Sequence, residues 1–208
     1  LRKKDPLEEV RALEKEIGLS KDFLICLVNE DDWSFVIKLH ALFEAVIGHA
    51  LVEELGRAEL RTIFANTELS GARAGKVEFA KALSILDKES RRYIRKLSEL
   101  RNELVHDVTN TSFTFQQHLD GMNAKERHQF YQSFELQPAA GPMMLQGKSY
   151  PREEFFLQNP KVSLWLNAST VLTFLYQRKE LGKTRRELDA KWADLAKRRA
   201  LLPPLEDR

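Results

Sequence analysis

One cysteine, Cys26, is too few for an internal disulfide or a cysteine-based zinc site. It lies in the apolar run Phe23-Leu24-Ile25-Cys26-Leu27-Val28, which reads as a place for a small buried hydrophobe and not for a nucleophile. Nine glycines and seven prolines in 208 residues are few. Together with abundant Leu, Ala, Glu, Lys and Arg they lean the chain toward helix. Neither charge sign dominates: the formal net charge is +2, so attraction to nucleic acid has to come from local basic patches. The N-terminal stretch LRKKDPLEEVRALEKE lacks the apolar core of a signal peptide. The longest apolar run, Val162 to Tyr176, contains Asn167 and falls short of the ~20 residues of a bilayer span. These absences lead to the expectation of a soluble, cytoplasmic protein with no membrane partner. What is present, 43% hydrophobic and 31% charged residues, is the composition of a globular protein of one domain with a substantial core.

Asp5-Pro6 predicts a first helix that Gly18 stops, and Ser20 is expected to cap a short second helix through Val28. Asp31 or Asp32 starts a long helix, Trp33 to Leu55, which Gly56 ends. Phe35, Leu39, Leu42, Phe43 and Val46 form one apolar stripe on it; Trp33, Ile37, Leu51 and Leu55 form another. A helix dressed on two sides is central to a bundle or shared with a second subunit. A short helix follows from Arg57 to Ala65, then a loop from Asn66 to Gly75, then a helix carrying Val77, Phe79, Ala80, Leu83, Ile85 and Leu86. Residues 112–160 are the least regular: a helix over Lys125 to Phe134, a loop at Pro138-Ala139-Ala140-Gly141-Pro142 and a short strand within Met143 to Tyr150. Pro160 opens a further helix, and Gly182 is expected to separate it from a last, charged helix, Thr184 to Leu201, stopped by Pro203-Pro204.

The chain is organised around Lys88 to Asp107, KESRRYIRKLSELRNELVHD. Tyr93, Ile94, Leu97, Leu100 and Leu104 recur at the spacing of a buried helical stripe. Arg101, two turns after Ile94, falls on that stripe, while Asn102 and His106 share the opposite flank with Arg95. Asp107, Thr109, Asn110, Thr111 and Ser112 then favour turns. An arginine, an amide and a histidine at one helix end concentrate polar function as no other stretch of the chain does.

Arg101-Asn102-Glu103-Leu104-Val105-His106 resembles the R-x4-H motif of the HEPN superfamily, helical bundles that include many metal-independent ribonucleases. Trp33 to Leu55, Glu68 to Lys76 and Leu100 to Phe115, with the helix from Pro160 to Glu180, more narrowly resemble the mannitol operon repressor family. Both resemblances imply an all-α, HEPN-like antiparallel bundle. It would comprise N-terminal helices (1–30), a core (31–107), an irregular insertion (108–159) and C-terminal helices (160–208). The first implies a homodimeric endoribonuclease, as a toxin or defence effector with an antitoxin partner. The second implies a non-enzymatic transcriptional regulator acting through protein contacts.

On the ribonuclease reading His106 is general base toward the ribose 2′-OH or acid toward the leaving oxygen. A histidine ordinarily titrates near ~6.5, which suits either role. Arg101 would hold the phosphate and stabilise its developing charge, and Asn102 would orient the imidazole or the substrate. Five residues along a helix turn about 500°, so Arg101 and His106 diverge by about 140° unless the helix ends there or a second subunit faces the first. RNA contacts are expected from Arg73 and Lys76 in the glycine-bearing loop and from Arg92, Arg95 and Lys96 on the organising helix. The loop lacks the residue order of a P-loop. The bland alternative makes Arg101 a buried ion-pair partner of Glu44 and His106 a helix cap. His40/Glu44 and His49/Glu53 have i,i+4 spacing but not the arrangement of di-metal bundles, so neither a metal nor another cofactor is expected.

Overall fold

The computed structural model describes residues 6–71, 73–137, 141–145 and 147–200. Within them the protein is an all-α helical bundle with one small hairpin. Asp5, Ala72, Pro138-Ala139-Ala140 and the stop expected at Leu201 and Pro203-Pro204 lie outside the described residues.

Helix α1 (Pro6–Glu16) ends before Gly18, whose φ of +80° suits a residue without a Cβ. The short α2 (Phe23–Leu27) is preceded by Asp22 in the left-handed region, so Ser20 is not its cap. Cys26 is exposed and not buried, because α2 turns Leu24 and Leu27 inward. α3 (Asp32–Leu55) starts where Asp31 Oδ1 accepts the Ser34 N–H at 2.8 Å and stops at left-handed Gly56. Eleven of its residues are buried, from Phe35 to Val52 and on more than one side, which makes it the axis of the bundle. Its length and composition also suit a membrane span, more so than the Val162 to Tyr176 run, but 67% of its apolar window is buried in the fold.

Around that axis lie α4 (Arg61–Ala65), α5 (Lys76–Ala82), α6 (Lys88–Val105) and α10 (Pro160–Ala200), all packed against α3. A 3-10 turn, Ala58–Leu60, leads into α4. α6 is capped by Asp87, whose Oδ1 accepts the Ser90 N–H at 2.7 Å. Its buried stripe is the expected one, Tyr93, Ile94, Leu97, Leu100 and Leu104. Tyr93 is fully enclosed and donates its hydroxyl to the Leu164 carbonyl at 2.8 Å, fastening α6 to α10.

Residues 108–159 are more regular than expected: the helix expected over Lys125 to Phe134 is present, and the strand expected within Met143 to Tyr150 is a pair. These residues form a 3-10 turn (Val108–Ser112), α7 (Phe115–Asp120), α8 (Ala124–Phe134), an antiparallel hairpin of β1 (Met143–Leu145) and β2 (Lys148–Tyr150), and α9 (Arg152–Gln158). A capping box starts α8: Asn123 and Glu126 each accept the other's backbone N–H. Phe115, Phe130, Phe134 and Phe156 carry this segment into the main core, and Phe134 meets the ring of Tyr93 edge-on with centroids 5.3 Å apart.

The break expected at Gly182 is also absent, since α10 runs unbroken through it. Tertiary contacts outweigh the ~1 kcal/mol cost of a mid-helix glycine. Lys179 pairs with Glu16, and Arg186 Nη2 meets Glu53 Oε2 at 3.2 Å. A Cβ at Gly182 would lie only 3.5 Å from Glu54 Oε2.

Candidate functional site at the end of α6

The last turn of α6 is held from outside. Trp33 Nε1–H donates to the Leu104 carbonyl at 3.3 Å and Asn110 Nδ2–H to the Glu103 carbonyl at 2.9 Å, so two orphan carbonyls are satisfied. Asp107 ends the helix, because its Oδ1 accepts the Thr109 N–H at 2.8 Å and starts the 3-10 turn. Those bonds to Thr109 hold its carboxyl below the usual range. His106 is the C-cap, with φ −77° and ψ −16°, so it keeps helical geometry and its direction still follows the helix. Asn102 and His106 are exposed, and Arg101 is half-buried. Arg101 Nη1–H donates to Asn102 Oδ1 at 3.1 Å. No hydrogen bond or ion pair engages His106 among the described residues.

The expected Arg101–Glu44 pair is replaced by a different one. Glu44 Oε1 lies 3.3 Å from Lys76 Nζ, and Lys76 is only 2% exposed. The loop before α5 explains this. Gly75 N–H donates to the Gly71 carbonyl, Lys76 N–H to Glu68 and Val77 N–H to Leu69, and this folded loop delivers Lys76 beneath α3. There its stem runs beside Gly48, close enough that a Cβ at that position would touch Lys76 Cε at 3.6 Å. Gly71 and Gly75 nearly touch within the loop; a Cβ on Gly75 would come within 2.4 Å of the Gly71 nitrogen. Buried Lys76 is therefore a structural cation and not a phosphate contact.

His40 joins the two clusters. It is 8% exposed, and its imidazole is held below the usual histidine range, first by burial and then by the positive charge of Arg101. Lys76 acts in the same direction and Glu44 in the opposite one. A row of polar groups thus runs along the α3 face toward α5 and α6, with solvent reaching the Arg101 side.

The other basic residues meet different fates. Arg73 is exposed. Arg92 donates to the Glu135 carbonyl, Arg95 pairs with Glu78, and Lys96 meets Glu99 at 3.1 Å. Arg92 and Lys96 also line a broad groove of about 1320 Å³ against α7 and α8, with His118, His128 and Tyr131. Burial and Glu135 push the Tyr131 phenol up to about 12, and His128 Nδ1 lies 2.9 Å from Glu153. Neither Arg101, Asn102 nor His106 lines that groove. Among the described residues no three His, Cys, Asp or Glu side chains are grouped to hold a metal ion.

No family model, curated protein or solved structure matches the chain. The site residues that sequence reasoning missed are His40 as the link to Arg101 and Lys76 as the partner of Glu44. The i,i+4 spacing of His40 and Glu44 was the available signal for a shared face of α3. Nothing local to Lys76 announced its burial.

Proposed function

We propose that the protein is a metal-independent endoribonuclease acting as a homodimer through Arg101, Asn102 and His106. The observation that carries this reading is the state of Arg101: its guanidinium is half-buried, bonded to the neutral amide of Asn102, and unmatched by any carboxylate among the described residues. A structural arginine in a core is expected to have an acidic partner. The carboxylate expected to pair with it, Glu44 on α3, is taken by Lys76. An arginine held ready by an amide beside an exposed histidine suits a passing phosphate.

Because His106 keeps helical angles, it diverges from Arg101 by about 140° within one chain. A two-fold axis at the end of α6 would face one motif with the other. One His106 takes the proton of the ribose 2′-OH as its oxygen attacks phosphorus. The second His106 gives a proton to the departing 5′-oxygen, leaving a 2′,3′-cyclic phosphate and a 5′-hydroxyl. Arg101 stabilises the negative charge that builds on the phosphoryl oxygens. An RNA oligonucleotide incubated in EDTA should be cut to cyclic-phosphate ends, while the DNA of the same sequence, lacking the 2′-OH, stays intact. Cleavage that requires magnesium, or equal cleavage of the DNA, would overturn the proposal.

One observation favours the rival reading, a non-enzymatic regulator working through protein contacts: the exposed apolar stripe on the distal part of α10. His106→Ala leaves partner binding intact on that reading and abolishes activity on the first.

A further inference from the structure

We infer that the distal half of α10 is a docking surface for an acidic amphipathic helix of another protein; this rests on neither reading of the α6 site. α10 is tied to the bundle as far as Arg186, which hydrogen-bonds the Glu53 carbonyl and pairs with its carboxylate. From Glu187 to Arg199 every side chain is exposed. Yet Leu181, Leu188, Trp192 and Leu195 stand seven, four and three residues apart, which places them along one side of the helix. They are 69%, 51%, 68% and 54% exposed. Leucine recurs at the d positions of a heptad and Trp192 takes an a position, the pattern of a coiled-coil seam. A helix of this length on which no described residue packs is marginal in water, and large apolar side chains in a row on it mark a contact surface.

Charge selects the occupant. Arg185 and Arg199 fall at a positions of the same seam and Lys191 on its edge; none of the three has a hydrogen-bond or ion-pair partner among the described residues. Asp189 is the acid on the opposite edge. A second copy in parallel would stack Arg185 on Arg185 and Arg199 on Arg199. An antiparallel copy would set the Lys191 edge against itself. Like charges across a seam oppose pairing, whereas a helix with a leucine seam and glutamates beside it matches both features.

The test is a titration of the full chain, by fluorescence anisotropy, with a synthetic helix of about three heptads carrying Leu at a and d and Glu at e and g. The same peptide with Lys at e and g is the control. The glutamate peptide should bind and the lysine peptide should not. Binding should weaken at high salt and fall by roughly 100-fold in Leu188→Gln/Trp192→Gln, a change confined to exposed residues. Equal binding of the two peptides, or no binding of either, overturns the inference. So does self-association of the wild-type chain in sedimentation that the double variant abolishes, which would make the occupant a second copy.

Discussion

Two polar clusters bear on His40, and they differ in what answers each charge. The Lys76–Glu44 pair closes on itself: the ammonium is buried and its carboxylate stands at 3.3 Å. The end of α6 stays open: Arg101 leans on a neutral amide, and Asn102 and His106 face solvent. The first joins α5 to α3, whereas the second lies on α6 alone. A closed pair fixes how α5 meets α3, and breaking it should damage the fold. An open group adds little to the fold and keeps its hydrogen-bonding capacity for a ligand.

The largest expected effect on stability follows from opening the closed pair. Glu44→Ala leaves Lys76 buried without a counter-charge and should cost ~2–3 kcal/mol in denaturant unfolding. The figure is set below that of a fully enclosed pair because the Glu44 side chain is 38% exposed. Lys76→Met, which removes the buried charge, should cost much less, since Glu44 can then turn to water. Equal losses in the two variants would erase the distinction drawn between buried cation and exposed carboxylate.

A smaller effect should appear with pH. His40 is held neutral in the fold, its pKa depressed by burial and by Arg101. The unfolded chain, with histidine near ~6.5, therefore binds the proton more readily. The stability from neutral His40 is fully present above that value and is lost as pH falls through the lower folded pKa. His49 and His118, depressed chiefly by burial, add to the same trend. His40→Gln should flatten part of the acid limb of stability against pH. In Arg101→Ala, histidine titration followed by NMR should show His40 moving upward; an unmoved His40 would separate the two clusters.

The smallest effect belongs to the open cluster. Arg101→Ala and His106→Ala should each leave unfolding stability within about 0.5 kcal/mol of wild type. A loss of several kcal/mol in Arg101→Ala would make Arg101 structural after all.

What the sequence made legible was local. The Asp31 cap, the Gly56 stop, the two-sided α3 and the buried stripe of α6 all follow from spacing and capping chemistry. The phenylalanines of α7 to α9 were harder to read, because contacts such as Phe35–Phe115 and Phe130–Phe156 join elements far apart in sequence and no single window shows a period. Even so, Asn123 and Glu126 carried a readable capping box. Gly182 misled because a glycine's cost is local while the contacts of Lys179 and Arg186 with α1 and α3 are not. Arg101, Asn102 and His106 were legible as a cluster, since one helix carries all three. The partner of Glu44 was not, since a loop of close-packed glycines decides where Lys76 lands.

The open cluster is assigned a role in RNA cleavage, and the most direct measurement is digestion of total RNA in EDTA by wild type, Arg101→Ala and His106→Ala, each shown to be folded. Cleavage by wild type, reduced by roughly 100-fold or more in both variants, is the predicted result. Cleavage that persists unchanged in folded His106→Ala, or its absence from the folded wild type, would contradict it.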